Sequence, residues 1–130
     1  MKLSIYLIPL LAILVGGCAS TETVKEAEGE GISRTYNYAY EPVYNATLAA
    51  AKVKKLEVVE SDKESGRIIL SHGITLWSWG ERIAAFIKKV ADDTTKVEII
   101  SKPVLAPLNF PPDWQQILLE QIAVELQSTK

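Results

Sequence analysis

The stretch Glu81-Arg82-Ile83-Ala84-Ala85-Phe86-Ile87-Lys88-Lys89-Val90 reads in two ways, and the choice between them decides the fold. Ile83, Ala84, Phe86, Ile87 and Val90 recur at helical spacing, so periodicity alone makes the segment a helix. The residues just downstream argue for a strand. Asp92-Asp93-Thr94-Thr95 has the composition of a turn, and Lys96-Val97-Glu98-Ile99-Ile100-Ser101 alternates and is rich in β-branched side chains, so it needs a strand beside it. A hairpin is the preferred reading, with a helix before a lone strand as the alternative.

Working outward, Leu56 to Ser61 and Arg67 to Ser71 read as a second pair of strands joined by the polar turn Asp62-Lys63-Glu64-Ser65-Gly66. His72-Gly73 interrupts the pattern, after which Ile74-Thr75-Leu76-Trp77-Ser78-Trp79 alternates again, either through a bulge at Gly73 or as a new strand. Upstream, Glu41-Pro42 opens a helix, because proline in the first turn gives up no needed N–H. That helix runs from Val43 to about Leu56, with Val43, Ala46, Ala50 and Val53 on one side and Lys52, Lys54 and Lys55 in its last turn. Ile32 to Tyr40 alternates as a strand, with Tyr36, Tyr38 and Tyr40 in one row. Downstream, a proline-bearing connection from Lys102 to Pro112 leads to Asp113 as N-cap. The closing helix, Trp114 to about Gln127, carries Leu118, Ile122 and Leu126 on one stripe, flanked by Ile117 and Val124.

The front of the 130-residue chain is of another kind. Thirteen uncharged residues, Leu3 to Val15, stand between Lys2 and Cys18. They are too few for the roughly 20 residues of a membrane-spanning helix but suit the apolar core of a secretory signal. Leu14-Val15-Gly16-Gly17-Cys18 resembles the lipobox of bacterial lipoproteins, an aliphatic residue and two small ones before a cysteine. The resemblance implies cleavage between Gly17 and Cys18, acylation of the Cys18 thiol and then of its new amine, and attachment by two or three chains, which hold where one is marginal. Ala19-Ser20 comes next, where lipoproteins retained at an inner membrane tend to carry aspartate. An outer-membrane location facing the periplasm is therefore expected. Residues 1–17 are then the signal peptide. Residues 18–31, with four glutamates and one branched aliphatic side chain, read as the lipidated cysteine and a flexible tether of some 20 Å reach. Residues 32–127 read as a single domain.

The chain from about Tyr38 to Leu126 resembles a family of small bacterial lipoprotein domains, similar in style to the repeated domains found in one of the lipoproteins of the outer-membrane barrel assembly machine. The alanine-rich helix, Asp62-Lys63-Glu64-Ser65-Gly66 running into Arg67-Ile68-Ile69, Thr95 to Lys102, and the Asp113-Trp114 helix carry the resemblance. It implies an α+β fold of order β-α-β-β-β-β-α, a curved antiparallel sheet of four to five strands gripping two helices on one face, and with it a strand at 81–90. The usual glycine between the first helix and the next strand is missing, with Lys55-Leu56-Glu57 in its place, so that helix end is expected to differ.

The search for chemistry returns little. Without the signal the chain holds 13 basic and 16 acidic side chains, a balance that argues against nucleic-acid binding. His72 is the single histidine and Cys18 the single cysteine, so no disulfide is possible within the chain and no His/Cys cluster exists for zinc. No nucleophile elbow surrounds any serine, no glycine-rich phosphate loop is present, and Asp92-Asp93 reads as a solvated turn. Asn45-Ala46-Thr47 matches a glycosylation triplet but falls in a helix. No catalytic residue, cofactor or metal is expected. For recognition the candidates are aromatic: Trp77 and Trp79, two apart and so on one face of a strand, and the row Tyr36 and Tyr38, with burial under the helices as the competing reading. The apolar connection Val104 to Phe110 is a further candidate. The expected partners are the membrane, through the N-terminal lipid, and an envelope protein. The expected role is that of a non-enzymatic interaction or scaffold module; the alternative is a ligand-binding module for a peptidoglycan fragment or lipid, using the aromatic face or a pocket between sheet and helices.

Overall fold

The computed structural model describes residues 20–73, 75–76, 80–104 and 112–129. These form an α+β fold of one five-stranded antiparallel sheet and three helices. Helix α1 (Thr21–Glu26) is followed by β1 (Ile32–Tyr36), α2 (Tyr40–Val53), β2 (Glu57–Asp62), β3 (Arg67–His72), β4 (Glu81–Ala91), β5 (Thr94–Pro103) and α3 (Trp114–Ser128). Across the sheet the order is β1-β5-β4-β3-β2, so β2 to β5 pair in succession and β1 closes the edge beside β5.

The ambiguous stretch is the central strand. In β4, Ile83, Ala85 and Ile87 face the core under α2 and α3, while Ala84 and Phe86 belong to a second cluster on the opposite face, and all five are buried. A strand covered on both sides needs apolar residues at every position, not at alternate ones. Five such residues in a row also satisfy helical spacing, which is why periodicity misreads them. Pairing decides the matter: Ile83 lies opposite Leu70 of β3 and Ser101 of β5.

On the inner face α2 presents Val43, Ala46, Ala50 and Ala51, all buried. Its stripe does not extend to Val53, which is 53% exposed. α3 begins at Asp113, whose side chain accepts from the Gln116 N–H, and it buries Leu118, Leu119, Ile122 and Leu126. Val124 faces solvent. From the sheet, Ile68, Leu70, Val97 and Ile99 join these helix side chains in one cluster between the layers.

The outer face corrects the expected tether. The chain is folded from Ser20, which caps α1 in a reciprocal box: its Oγ accepts from the Thr23 N–H and its own N–H donates to Thr23 Oγ1. Val24 and Ala27, three apart and so on one side, are buried against Ile69, Ala84, Phe86 and Ile100. Composition hides this because the apolar surface that makes docking favourable belongs to the sheet. Burying Val24 contributes roughly 1.5–3 kcal/mol. Ile74 and 77–79 lie outside the described residues, β3 ends at His72, and Thr75 and Leu76 belong to no strand.

The end of α2 keeps the geometry that the missing glycine would serve. Lys55 has φ +59°, its N–H donates to the Lys52 carbonyl, and the Leu56 N–H donates to the Ala51 carbonyl, the paired bonds of a left-handed helix stop. Leu56, buried, completes the motif by packing into the core. A lysine in this region is strained by its Cβ. At the sheet edge, β2 leaves Val58 and Val59 partly exposed and carries a register shift between Val58 and Glu60. Lys55→Gly is expected to raise stability by about 1 kcal/mol, read from the midpoint of urea unfolding at unchanged slope.

Candidate functional site

Two places gather polar groups against apolar surface. The first is one end of the sheet. His72 closes β3 and Glu81 opens β4; they are register partners, with Pro103 of β5 next in the row. Both point to the inner face, because His72 follows Ile68 and Leu70 at strand spacing and Glu81 precedes Ile83. Nδ1 of His72 lies 2.6 Å from Oε2 of Glu81, whose side chain is fully buried. The Trp114 ring, brought in by the first turn of α3, sits 4.8 Å from the imidazole at 57°. The Trp114 indole N–H is buried and finds no acceptor among the described residues.

This arrangement fixes an imidazole by a buried carboxylate on one side and an aromatic ring on another. Among the described residues no group of three His, Cys, Asp or Glu side chains could hold a metal. Sequence reasoning placed His72 at a strand end but missed Glu81 as its partner, since the two are nine positions apart and only strand register brings them together. The segments 73–80 and 104–113 both leave from this end, since they join His72 to Glu81 and Pro103 to Trp114. Leu76, in the first, is 95% exposed.

The second place is the outer face beside α1. Both oxygens of Glu98 accept from the Gly29 N–H at 2.9 Å, and one of them also accepts from the Gly31 N–H at 2.9 Å. The approach needs glycine: a Cβ on Gly31 would collide with the Ile99 carbonyl, and Gly29 has φ +97°. Lys25 reaches Glu60 at 2.8 Å, and this bond holds the Glu60 carboxyl below the usual range. Next to the segment that follows α1 lies a cleft of about 400 Å³ bordered by Glu28, Phe86, Lys88, Lys96 and Glu98.

Of the residues expected to matter, Gly17, Cys18, Trp77 and Trp79 lie outside the described residues, as does all of the apolar connection Val104 to Phe110 except Val104. The tyrosine row does not exist. Tyr36 ends β1 on the inner face, 6% exposed, with its hydroxyl donating to the Leu119 carbonyl at 2.6 Å; it is core, and its place as a docking residue is corrected. Tyr38 is half-buried against the same core, outside any strand, and its carbonyl accepts from Thr95 Oγ1. Tyr40 starts α2, stacks on Tyr44 and donates to the Lys63 carbonyl. Thr47 of the glycosylation triplet is fully buried and bonded to the Val43 carbonyl.

Among solved structures the chain is similar to that titled crystal structure of Ara h 8.0201, with TM-score 0.52 and 10% identity over 75% of this chain and 95% of that one. It is also similar to the di-domain ARO/CYC StfQ from the steffimycin biosynthetic pathway, with TM-score 0.49 and 10% identity over 75% of this chain and 42% of that one. A third, TTHA0849 from Thermus thermophilus, has TM-score 0.41 and 13% identity over 76% and 97%. The first of these likenesses is one of fold: a sheet gripping helices. No curated protein matches the chain. A family model described as "Protein of unknown function (DUF3568)" matches residues 2–100.

Burial of Tyr36 pushes its phenol up to about 12, against a smaller lowering by the Arg34 charge. The folded state therefore keeps a proton that the unfolded chain gives up near pH 10, so stability is lost as pH rises from about 10 through 12. Tyr36→Phe is expected to cost about 1 kcal/mol at neutral pH and to flatten this alkaline loss, measured by urea unfolding at pH 7 to 11.

Proposed function

The chain belongs to the family described as "Protein of unknown function (DUF3568)", and from that premise we propose that it is a lipid-anchored, non-enzymatic interaction module of the bacterial cell envelope. The observation that carries this reading is the sequence Leu14-Val15-Gly16-Gly17-Cys18 followed within two residues by a folded body. The family match takes in the apolar leader and Cys18 together with most of the sheet. In this reading Cys18 is cut free at Gly17, acylated on sulfur and nitrogen, and fixed in the outer membrane facing the periplasm.

The interior supports an interaction role over a binding pocket. Among the described residues, side chains of sheet and helices pack into one cluster inside the grip, which favours the surface as the place of contact. The end of the sheet around His72, Glu81 and Trp114, from which the connections bearing Trp77, Trp79 and Phe110 depart, is the surface assigned to an envelope protein partner.

Cys18→Ala is expected to abolish incorporation of labelled fatty acid and to move the protein out of the membrane fraction; retained labelling overturns the anchor. Trp77→Ala with Trp79→Ala is expected to weaken photocrosslinking to a partner in intact cells at unchanged unfolding midpoint. A double variant that unfolds instead places both rings in the core and removes them from the interface.

A further inference from the structure

We infer that α1 is a releasable strap that sets how far the domain stands from its anchor; the stand-off part rests on the lipid-anchor reading, whereas the strap itself does not. Docked, the strap leaves only Ala19 between Cys18 and the N-cap Ser20, so chain length alone keeps the Cα of Cys18 within about 7 Å of the Ser20 Cα. Released, the fourteen steps from Cys18 to Ile32 become a flexible link with a typical reach of about 20 Å. The domain therefore has two positions, flush with the bilayer and lifted from it.

The geometry shows why release is separable from unfolding. A six-residue helix is far below the length of about 12 residues at which helices persist in water, so α1 exists only while it is docked. Among the described residues its attachment rests on a few groups: Val24 and Ala27 in the outer cluster, the Lys25–Glu60 ion pair, and the Glu98 carboxylate holding Gly29 and Gly31. None of these lies in the core between sheet and helices, and β1, which comes after the strap, is tied separately to β5 from Ile32 to Tyr36. Gly29 and Gly31 flank Glu30 as a hinge. Gly29, where even an added Cβ would meet no neighbour, is free to rotate once Glu98 lets go. Release uncovers Ile69, Ala84, Phe86 and Ile100 on the outer face, so the lifted position also presents apolar surface.

The test is hydrogen exchange on the acylated full-length chain in detergent micelles, followed on peptides spanning 20–31 and 81–91. Opening of the strap alone makes 20–31 exchange about 100-fold faster than 81–91, yet slower than an unstructured segment. Glu98→Ala, and independently Val24→Ala, should speed exchange of 20–31 by about tenfold and leave 81–91 unchanged. If 20–31 exchanges at the rate of 81–91 in the parent chain, or if both variants speed the two peptides equally, the strap is an integral part of the fold and the inference fails. A second measurement reads the stand-off: energy transfer from the domain's tryptophans to an acceptor on the lipid headgroups of phosphatidylethanolamine and phosphatidylglycerol vesicles. Transfer should drop in Glu98→Ala at equal vesicle binding, and unchanged transfer overturns the stand-off. Failure of the parent chain to bind vesicles overturns the anchor and the stand-off with it, while the exchange result still decides the strap.

Discussion

Everything in this fold depends on a central strand that is apolar on both faces. Ile83, Ala85 and Ile87 demand a cover on one side, and Ala84 and Phe86 demand one on the other. A sheet of five strands with helices only inside would leave the second set in water. The two covers differ in kind. α2 and α3 are long, bury many side chains and define the core, whereas α1 spans six residues and buries only Val24 within its length, with Ala27 just beyond its end. The strong layer makes the domain, and the weak layer is the one next to the membrane anchor of the proposed reading.

This imbalance explains what could be seen in the sequence. The strands of the hairpins, the polar turn before Gly66, the Asp113 cap and the stripe Leu118, Ile122, Leu126 were legible because each is a local pattern with a local cause. The central strand was not legible by periodicity, since two-sided burial erases alternation, and it took the neighbouring strand Lys96 to Ser101 to mark it. α1 was illegible for the matching reason: its stability comes from Ile69, Ala84, Phe86 and Ile100, which lie more than forty positions away. Reading Ala19 to Gly31 by its glutamates describes the exposed side of the helix correctly and says nothing of the side that docks.

The candidate site shows the same division. His72 was visible as a lone histidine at a strand end, but its partner Glu81 and the Trp114 ring are assembled by register and by the entry of α3. The tyrosines failed as a row because the chain turns between Tyr36 and Tyr40. Lys55 is instructive in the opposite sense. The absence of glycine there pointed to a different helix end, yet the backbone took the left-handed form regardless, because the bonds to Ala51 and Lys52 and the burial of Leu56 outweigh the strain of one side chain.

Under the proposed lipid-anchored reading the exposed edge of β2 takes on a further meaning, because copies would be confined to a plane. Molecules fixed on a bilayer meet side by side far more often than the same number dispersed in bulk, and they meet in a restricted orientation. An open strand edge under those conditions invites lateral stacking into sheets that run from one copy to the next. The register shift between Val58 and Glu60 kinks that edge, and Glu57 and Asp62 add negative charge along it, both of which disfavour edge-to-edge pairing. An irregular edge strand of this kind is a poor template for pairing with a neighbouring copy.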